Sequence, residues 1–275
     1  MPNLELPEET PIKAVPYPRG FEKQFERFLV QMVRDITTQF ENQTIKKLNK
    51  STVNKFEDQQ VGNYANVFLG LSKAATRKIK KRYDDERISK NIKRTLLALS
   101  NENRRAFFSR VESQTGIDAQ QLIQREGLTP QINALILETD QWAKRLRDDT
   151  LTEITANTLR VMATGARLED VVSEFAQTAG KRRENAKFVA RNQITTYNGL
   201  LNKIRYQKAG IRRAIWVTAQ DERVRPSHVD RSGKEFDLDE GLFSSVDGKT
   251  LQAGQDFLCR CVAQPIIPEE EENNG

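Results

Sequence analysis

The chain has 275 residues, which is enough for one large or two modest domains that each bury a core. Hydrophobic residues make up 37% and charged residues 30%, so we expect elongated helical parts whose apolar stripes partly belong to partners. The net charge of +6 permits nucleic-acid binding without requiring it. Two cysteines in a C-x-C arrangement exclude a secreted disulfide framework and favour a reducing cytoplasm. We expect no signal peptide and no membrane span.

The first 20 residues are rich in proline and otherwise mostly polar. Proline at this density removes backbone donors and blocks helix formation, so residues 1–20 are predicted to form an extended arm. We expect a solvated leader, and the alternative is an arm that docks along another subunit. The prolines are Pro2, Pro7, Pro11, Pro16 and Pro18.

Apolar residues at steps of three and four predict amphipathic helices through most of the next 130 residues. One helix is expected over residues 21–50 and a second helical stretch over residues 59–99. Short helices are expected between residues 100 and 127. Thr129-Pro130 then supplies an N-cap and a first-turn proline for a further helix.

Two clusters of basic residues, one in the second helical stretch and one after residue 180, suggest a surface for DNA. Counterion release by lysine and arginine holds a DNA backbone without sequence preference. The alternative, which we favour because aromatics able to stack on bases are sparse, is a solvated helix face balanced by neighbouring acidic residues. The candidate contacts are Lys80, Lys81, Arg82, Lys181, Arg182 and Arg183.

Glycines divide the later helical pattern. Gly165 and Gly180 are predicted helix stops, and a longer helix follows that ends at Gly210. We place a domain boundary between residues 150 and 165. The predicted organisation is an extended proline-rich arm (1–20), a helical N-terminal region (21–150), a C-terminal domain (151–267) and a disordered acidic tail (268–275).

The hydrophobic period changes from helical to alternating after residue 211. Residues 211–217 suit a buried strand, and Phe257 to Val262, followed by Ile266, suits its partner strand. Glycine and aspartate between them indicate turns and short hairpins. The predicted fold class is therefore mainly α with a small α+β C-terminal domain, in which an elongated helical N-terminal part is followed by helices and a short antiparallel sheet.

The only histidine and both cysteines of the chain fall between Trp216 and Cys261. An imidazole and two thiolates are three of the four ligands of a tetrahedral structural zinc site. The predicted ligands are His228, Cys259 and Cys261, with Asp221 or alternatively Asp230 as the fourth. The competing interpretation is two small buried thiols and a hydrogen-bonded histidine, since alternate residues of a strand point nearly parallel.

Three arginines between Trp216 and Cys261 also have a functional and a structural interpretation. Arg223, Arg225 and Arg260 could hold phosphate or a partner's carboxylates through bidentate contacts. We favour the structural alternative, in which they pair with Asp221, Glu222 and Asp230 and fix the loop. Trp216 is expected in the core.

Two enzymatic hypotheses use the same residues. Asp221, Glu222, His228 and Asp230 could bind a hard cation and activate water for phosphodiester cleavage. A thiolate paired with His228 could act as a nucleophile. The chain has no glycine-rich phosphate loop, serine hydrolase elbow or H-E-x-x-H motif to support either hypothesis, so we expect no enzymatic activity.

The C-terminal motifs carry a resemblance to a known family. A helix with Ala190-Arg191, a strand with Trp216, the motif Asp221-x-Arg223-Val224-Arg225-x-x-His228, Gly233 and Cys259-Arg260-Cys261 follow in order. Together they resemble the C-terminal domain of phage head morphogenesis proteins, the minor head proteins similar to the phage Mu F protein and the SPP1 gene 7 product. The family commonly has Arg-Thr-Glu where this chain has Arg191-Asn192-Gln193, so a role carries over to Arg191 but not to the glutamate.

The resemblance implies a structural protein of the virion that is present in few copies near the portal vertex. It implies action during procapsid assembly in the host cytoplasm and contact with portal, major capsid or scaffolding protein. It also implies an association with packaged or ejected DNA. Members of the family are not generally regarded as enzymes, and no membrane partner is expected.

Overall fold

The computed structural model describes residues 11–52, 61–116 and 129–267. The chain divides into two compact units. The predicted acidic tail, residues 268–275, lies outside the described residues, and the predicted domain boundaries stay predictions. Unit 1 comprises Met1–Glu22, Thr95–Leu135 and Arg191–Gly275, and unit 2 comprises Lys23–Arg94 and Ile136–Ala190.

Long helices account for most of the described chain. A small antiparallel sheet follows them, which confirms the predicted fold class. None of the described helices is long and apolar enough to cross a bilayer. The helices are α1 (Arg19–Gln43), α2 (Ile45–Thr52), α3 (Val61–Arg82), α4 (Asp85–Thr115), α5 (Thr129–Ala163), α6 (Leu168–Lys208) and the short α7 (Pro226–Arg231).

Two helices are longer than their sequence patterns predicted. The prediction of short helices after residue 100 is wrong up to Thr115, because α4 continues as one helix and buries Phe107 and Val111. The predicted stop at Gly180 is also wrong, since α6 runs through it. Ala179 and Arg182 are buried on either side of that glycine, so packing outweighs the roughly 1 kcal/mol that glycine costs inside a helix.

Unit 2 has a helical core of its own. Phe40 of α1 contacts Phe68 of α3 edge-on, with 6.0 Å between ring centroids, and stacks on Phe175 of α6 at 6.2 Å. The predicted single helix over residues 21–50 is divided at Thr44, whose hydroxyl donates to the carbonyl of Phe40. That internal acceptor satisfies a buried polar group at the break.

Unit 1 contains the sheet. The strands are β1 (Arg213–Val217), β2 (Glu235–Asp237), β3 (Leu242–Ser244), β4 (Lys249–Leu251) and β5 (Val262–Ile266). The central strand β1 pairs antiparallel with β2 and with β5, and β3 pairs with β4 in a separate hairpin. Trp216 of β1 is fully buried, as expected from the sequence.

The partner strand begins later than predicted. Pairing with β1 starts at Val262, so the assignment of Phe257–Cys261 to a strand is wrong. Leu258 has a φ of 54°, in the left-handed region that branched or bulky residues rarely adopt, and this turns the chain out of strand conformation. Cys259 and Cys261 therefore lie in an irregular segment directly before β5.

The N-terminal arm packs on its own chain. The backbone N–H of Ile12 donates to the carbonyl of Pro265 over 2.9 Å, and Pro11 forms a bridge with Ile266. Ile12 and Val15 are buried in the same core as Trp216. Over residues 11–18 the expectation of a solvated leader is therefore wrong, because apolar residues between the prolines fill the core beside β5.

Helix α6 lies in close contact with the loop that follows β4 and leads to the two cysteines. Gly199 lies so near residues 253–254 that an added Cβ would be 2.9 Å from the carbonyl oxygen of Ala253 and 3.3 Å from the Cα of Gly254. Gly254 has a φ of +83°. Only glycine fits at both positions, so this contact holds the loop that carries residues 256–261 against α6.

Candidate functional site

The short helix α7 places His228 in the interior of unit 1. Pro226 occupies the first turn, where its missing N–H costs nothing, and Arg225 precedes it with extended backbone. His228 is 3% exposed and meets the Trp216 ring edge-on, with 5.7 Å between centroids. The imidazole is therefore held in one orientation by the core.

Both cysteines converge on one nitrogen of this imidazole. The Nδ1 atom of His228 lies 3.5 Å from Cys259 Sγ and 3.4 Å from Cys261 Sγ. The three ligand atoms lie within 4.8 Å of one another. The backbone N–H of Cys261 donates to Cys259 Sγ over 3.3 Å, which closes the segment into a turn and aims both sulfurs at the histidine.

The second imidazole nitrogen is held by Asp256. His228 Nε2 lies 3.1 Å from Asp256 Oδ2. Arg225 donates to the same carboxylate, and it also donates to the carbonyl of Phe257 over 2.7 Å. The carboxylate fixes the ring orientation and leaves Nδ1 to face the sulfurs.

The cluster favours charge separation between sulfur and imidazole. The pKa of Cys259 is well below its ordinary value, because it accepts a hydrogen bond from Cys261 and then because of contact with His228. The pKa of Cys261 is raised, first by its hydrogen bond with Cys259 and then by burial. The hydrogen bond with Cys259 raises the pKa of His228. The leading cause of each of the three shifts is a contact within the cluster.

A cavity of about 220 Å³ opens over the cluster. His228, Cys259 and Cys261 form part of its lining. Arg191 at its edge binds Glu22 over 2.9 Å, and Glu22 in turn accepts a hydrogen bond from Tyr17. The guanidinium-bearing residues of the lining are Arg191, Arg223, Arg225 and Arg260.

The carboxylates that the sequence offered as a fourth ligand are engaged elsewhere. Asp221 accepts from Arg260 over 2.5 Å and from Arg223 over 3.4 Å. These contacts, led by that of Arg260, lower the pKa of Asp221. Asp230 binds Lys234 over 2.9 Å. Among the described residues, neither aspartate belongs to the group of ligand atoms around His228.

Sequence reasoning missed Arg231. Its side chain is fully buried at the end of α7, 5.5 Å from the centroid of the Trp216 ring. It donates to the carbonyls of Ser227, Leu242 and Lys249. Arg231 thus ties the helix that carries the histidine to the β3–β4 hairpin, and no pattern in the sequence separates it from its exposed neighbours.

The basic residues predicted to contact DNA are divided by the structure. All three residues of the α3 cluster in unit 2 are exposed. Lys80 lies 3.3 Å from Asp148 and Arg82 lies 2.7 Å from Asp35, whereas Lys81 forms no salt bridge with the described residues.

The second basic cluster is divided in the same way. Arg182 in unit 2 is buried, and its guanidinium donates to Thr150, Glu153 and the carbonyl of Leu146. Its prediction as a DNA contact is therefore wrong. Lys181 is exposed and Arg183 is half-buried.

The site's composition separates the two chemical hypotheses. Two sulfurs and an imidazole nitrogen suit a soft or borderline metal rather than the hard cation of a nuclease, which needs oxygen ligands. Cys259 and Cys261 are each 4% exposed, whereas catalytic thiols are partly accessible. The sequence identified the His228, Cys259 and Cys261 set but missed Asp256, because one more aspartate in an aspartate-rich stretch gives no signal.

Comparison with known proteins places this site within a matched segment. Residues 152–264 match the family described as Phage Mu protein F like protein. An uncharacterized protein of Haemophilus influenzae is 25% identical over 260 residues, which cover 93% of this chain and 56% of that protein. No solved structure matches the chain.

The family match concerns the C-terminal part of the chain. The match confirms the predicted resemblance to the phage head morphogenesis family over residues 152–264, the part of the chain that contains the whole cluster. The segment is therefore phage Mu protein F-like. The chain spans about half the length of the Haemophilus influenzae relative, at 56%.

Proposed function

We propose that the protein is a minor head component of a tailed phage and acts in procapsid assembly near the portal vertex. The observation that carries the proposal is the match of residues 152–264 to the phage Mu protein F-like family. The proposed partners are the portal protein and the major capsid or scaffolding protein. The protein is in the host cytoplasm during assembly and then in the virion.

The ion pairs of the site support a structural role over a catalytic one. A metal-dependent nuclease needs carboxylates that are available to a hard cation. Here Asp221 is bound by two arginines and Asp230 by Lys234. These contacts hold the loops of unit 1 together, and the Nδ1 atom of His228 faces two sulfurs rather than carboxylates.

Purified heads of the phage that encodes the chain provide the test. We expect quantitative mass spectrometry to find the protein in few copies per head relative to the major capsid protein. Density for a tagged version should appear at a single vertex in reconstructions of procapsids without imposed symmetry. A phage with the gene deleted should yield fewer complete heads, and expression of the wild-type chain should restore them.

Two outcomes would refute the assembly role. One is the absence of the protein from purified heads, and the other is its even distribution over the shell. A complementing chain with the exposed Glu240→Gln substitution is the control, because it should restore head yield as well as the wild type does.

A contact with phage DNA is the finer part of the proposal. Among the described residues, Lys81 and Lys181 are the exposed members of the two basic clusters that form no salt bridge. The double variant Lys81→Glu/Lys181→Glu should weaken binding to duplex DNA and lower the salt slope by about two, since each lysine that contacts phosphate contributes about one. The double variant Lys23→Glu/Lys208→Glu changes two other exposed lysines and the same net charge. Equal loss in both variants would reject a localised contact.

The nuclease hypothesis is tested by plasmid cleavage with magnesium or manganese. We expect no cleavage by the purified protein. Reproducible cleavage that is abolished by Asp221→Asn and by His228→Ala would replace the structural role with an enzymatic one.

A further inference from the structure

We propose that His228 Nδ1, Cys259 Sγ and Cys261 Sγ bind one zinc ion, whose fourth position opens onto the arginine-lined cavity and takes a water molecule. This differs from the site predicted from the sequence, in which an aspartate completes the tetrahedron. It does not depend on the proposed role in head assembly, because it concerns the isolated chain.

The distances between the ligand atoms fit a tetrahedral ion. With Zn–S near 2.3 Å and Zn–N near 2.0 Å, tetrahedral angles place a sulfur and a nitrogen ligand about 3.5 Å apart. The distances from His228 Nδ1 are 3.5 Å to Cys259 Sγ and 3.4 Å to Cys261 Sγ. Both nitrogen–sulfur distances match this value, and the three ligand atoms lie within 4.8 Å of one another, so one ion can be placed among them.

The segment around Cys259 and Cys261 removes the objection raised by strand geometry. In a strand, alternate side chains would point nearly parallel. The left-handed Leu258 and the turn closed by the Cys261 N–H make both sulfurs converge instead. The C-x-C spacing thus supplies two ligands from one turn.

The surroundings of the ligand atoms are those of a metal site. A histidine that ligates a metal usually donates its other ring nitrogen to a carboxylate. His228 Nε2 has this partner in Asp256 at 3.1 Å, and Arg225 holds the carboxylate in place. The indole ring of Trp216 meets the imidazole edge-on, and its buried N–H has no oxygen or nitrogen acceptor among the described residues.

The fourth position is left to solvent. Asp221 is bound by Arg260, and Asp230 is bound by Lys234. The cavity of about 220 Å³ borders all three ligand residues and has room for water. Two thiolates neutralise the charge of a zinc ion, so a neutral water completes a neutral site beneath the guanidinium groups.

Such an ion would join two segments of unit 1. His228 comes from α7, whereas both cysteines lie directly before β5. Because the unfolded chain does not hold these atoms together, zinc binding would add to the free energy of unfolding and raise the melting temperature, the more so at higher free zinc.

The test uses the full chain, purified without chelators and analysed for metal. We expect one zinc per chain. Zinc removal should lower the melting temperature, and added zinc chloride should restore it. Cobalt chloride added to the metal-free chain should give the strong visible absorption of a tetrahedral site and a thiolate-to-cobalt charge-transfer band.

Variants assign the ligands. Cys259→Ser, Cys261→Ser and His228→Ala should each weaken zinc binding more than 100-fold, and Asp256→Asn should weaken it by about 10- to 100-fold. The matched controls Asp221→Asn and Asp230→Asn should keep wild-type affinity.

Three results would overturn the proposal. Calorimetric titration of the metal-free wild-type chain with zinc chloride could show no binding, and this measurement needs no variant to fold. The cobalt spectrum could lack the tetrahedral bands. Loss of zinc binding in Asp221→Asn or Asp230→Asn would show that the fourth ligand is a carboxylate and not water.

Discussion

The buried guanidinium of Arg231 donates to both carboxylate oxygens of Asp247, over 3.2 Å and 2.9 Å. It also donates to three backbone carbonyls and lies over the Trp216 ring. One side chain therefore connects the helix that carries His228, the central strand and the β3–β4 hairpin.

Replacing Arg231 should strongly destabilise the folded protein. Arg231→Met removes the donors of a buried pair and of three carbonyls, so we expect the free energy of unfolding to fall by about 3–5 kcal/mol. Arg223→Met is the control, because its side chain is largely exposed and should cost at most about 1 kcal/mol. Denaturant unfolding followed by circular dichroism measures both. Equal effects would show that Arg231 does not hold the unit together.

The same pair predicts a pH dependence of stability. The hydrogen bonds from Arg231 are the largest cause that holds the pKa of Asp247 below its ordinary value of 3.8. A carboxyl group with a lowered pKa contributes stability that is fully present above the pKa it has in the unfolded chain. This stability is lost as the pH falls through the pKa of the folded state. Asp247→Asn should therefore lower the melting temperature at pH 7, and the difference should shrink below about pH 4.

The exposed Glu240 supplies the control for this measurement. Glu240→Gln should leave the melting temperature unchanged both at pH 7 and below about pH 4. A deficit in Asp247→Asn that stays constant down to pH 2 would contradict the electrostatic explanation.

The two glycines of α6 should respond in opposite directions. Gly199→Ala places a methyl group 2.9 Å from the carbonyl oxygen of Ala253, so we expect a loss of about 1–3 kcal/mol. At Gly180 the nearest atom is the flexible end of Arg183, 4.0 Å away, so Gly180→Ala should stabilise by up to about 1 kcal/mol. Thermal unfolding compares them, and stabilisation by both substitutions would deny the close approach.

A polar network in unit 1 should be as sensitive as the apolar core. Arg205, which is 1% exposed, donates to Asn103 and Ser100, and Asn103 donates to Asn198 and Asn202. Asn103→Leu leaves several buried polar groups without this partner, at about 1–3 kcal/mol for each group left unsatisfied. Chemical denaturation measures the loss. The control is Glu102→Ala in the same helix. Glu102 is exposed and pairs with Arg105, so the free energy of unfolding should stay within about 0.5 kcal/mol of wild type.

The N-terminal arm should contribute to the stability of unit 1. Ile12→Ala should cost about 2–4 kcal/mol, because the side chain is buried beside Val15 and Trp216. The adjacent Lys13→Ala should have little effect, because its side chain is exposed and its backbone N–H keeps the bond to Gln114. Proteolysis of the arm at the same rate in Ile12→Ala and wild type would argue against the packing.

Periodicity predicted most of the helical architecture, because apolar residues at helical spacing reflect burial directly. It failed where tertiary packing outweighed a local preference, as at Gly180. The ligand types of the cluster were predictable because His228, Cys259 and Cys261 are the only residues of their kinds. Their convergence was not, since it depends on the left-handed Leu258 and on a carboxylate whose position only the fold determines.

The contact between Ile12 and Pro265 has a consequence for synthesis on the ribosome. Unit 2 is made of residues 23–94 and 136–190, all of which are translated before β5. Domains generally fold as they are synthesised, so unit 2 can fold before β5, the last strand of unit 1, has been translated. The arm must therefore stay available on the nascent chain until β5 has left the exit tunnel, and a stalled ribosome short of that point would hold a half-folded protein.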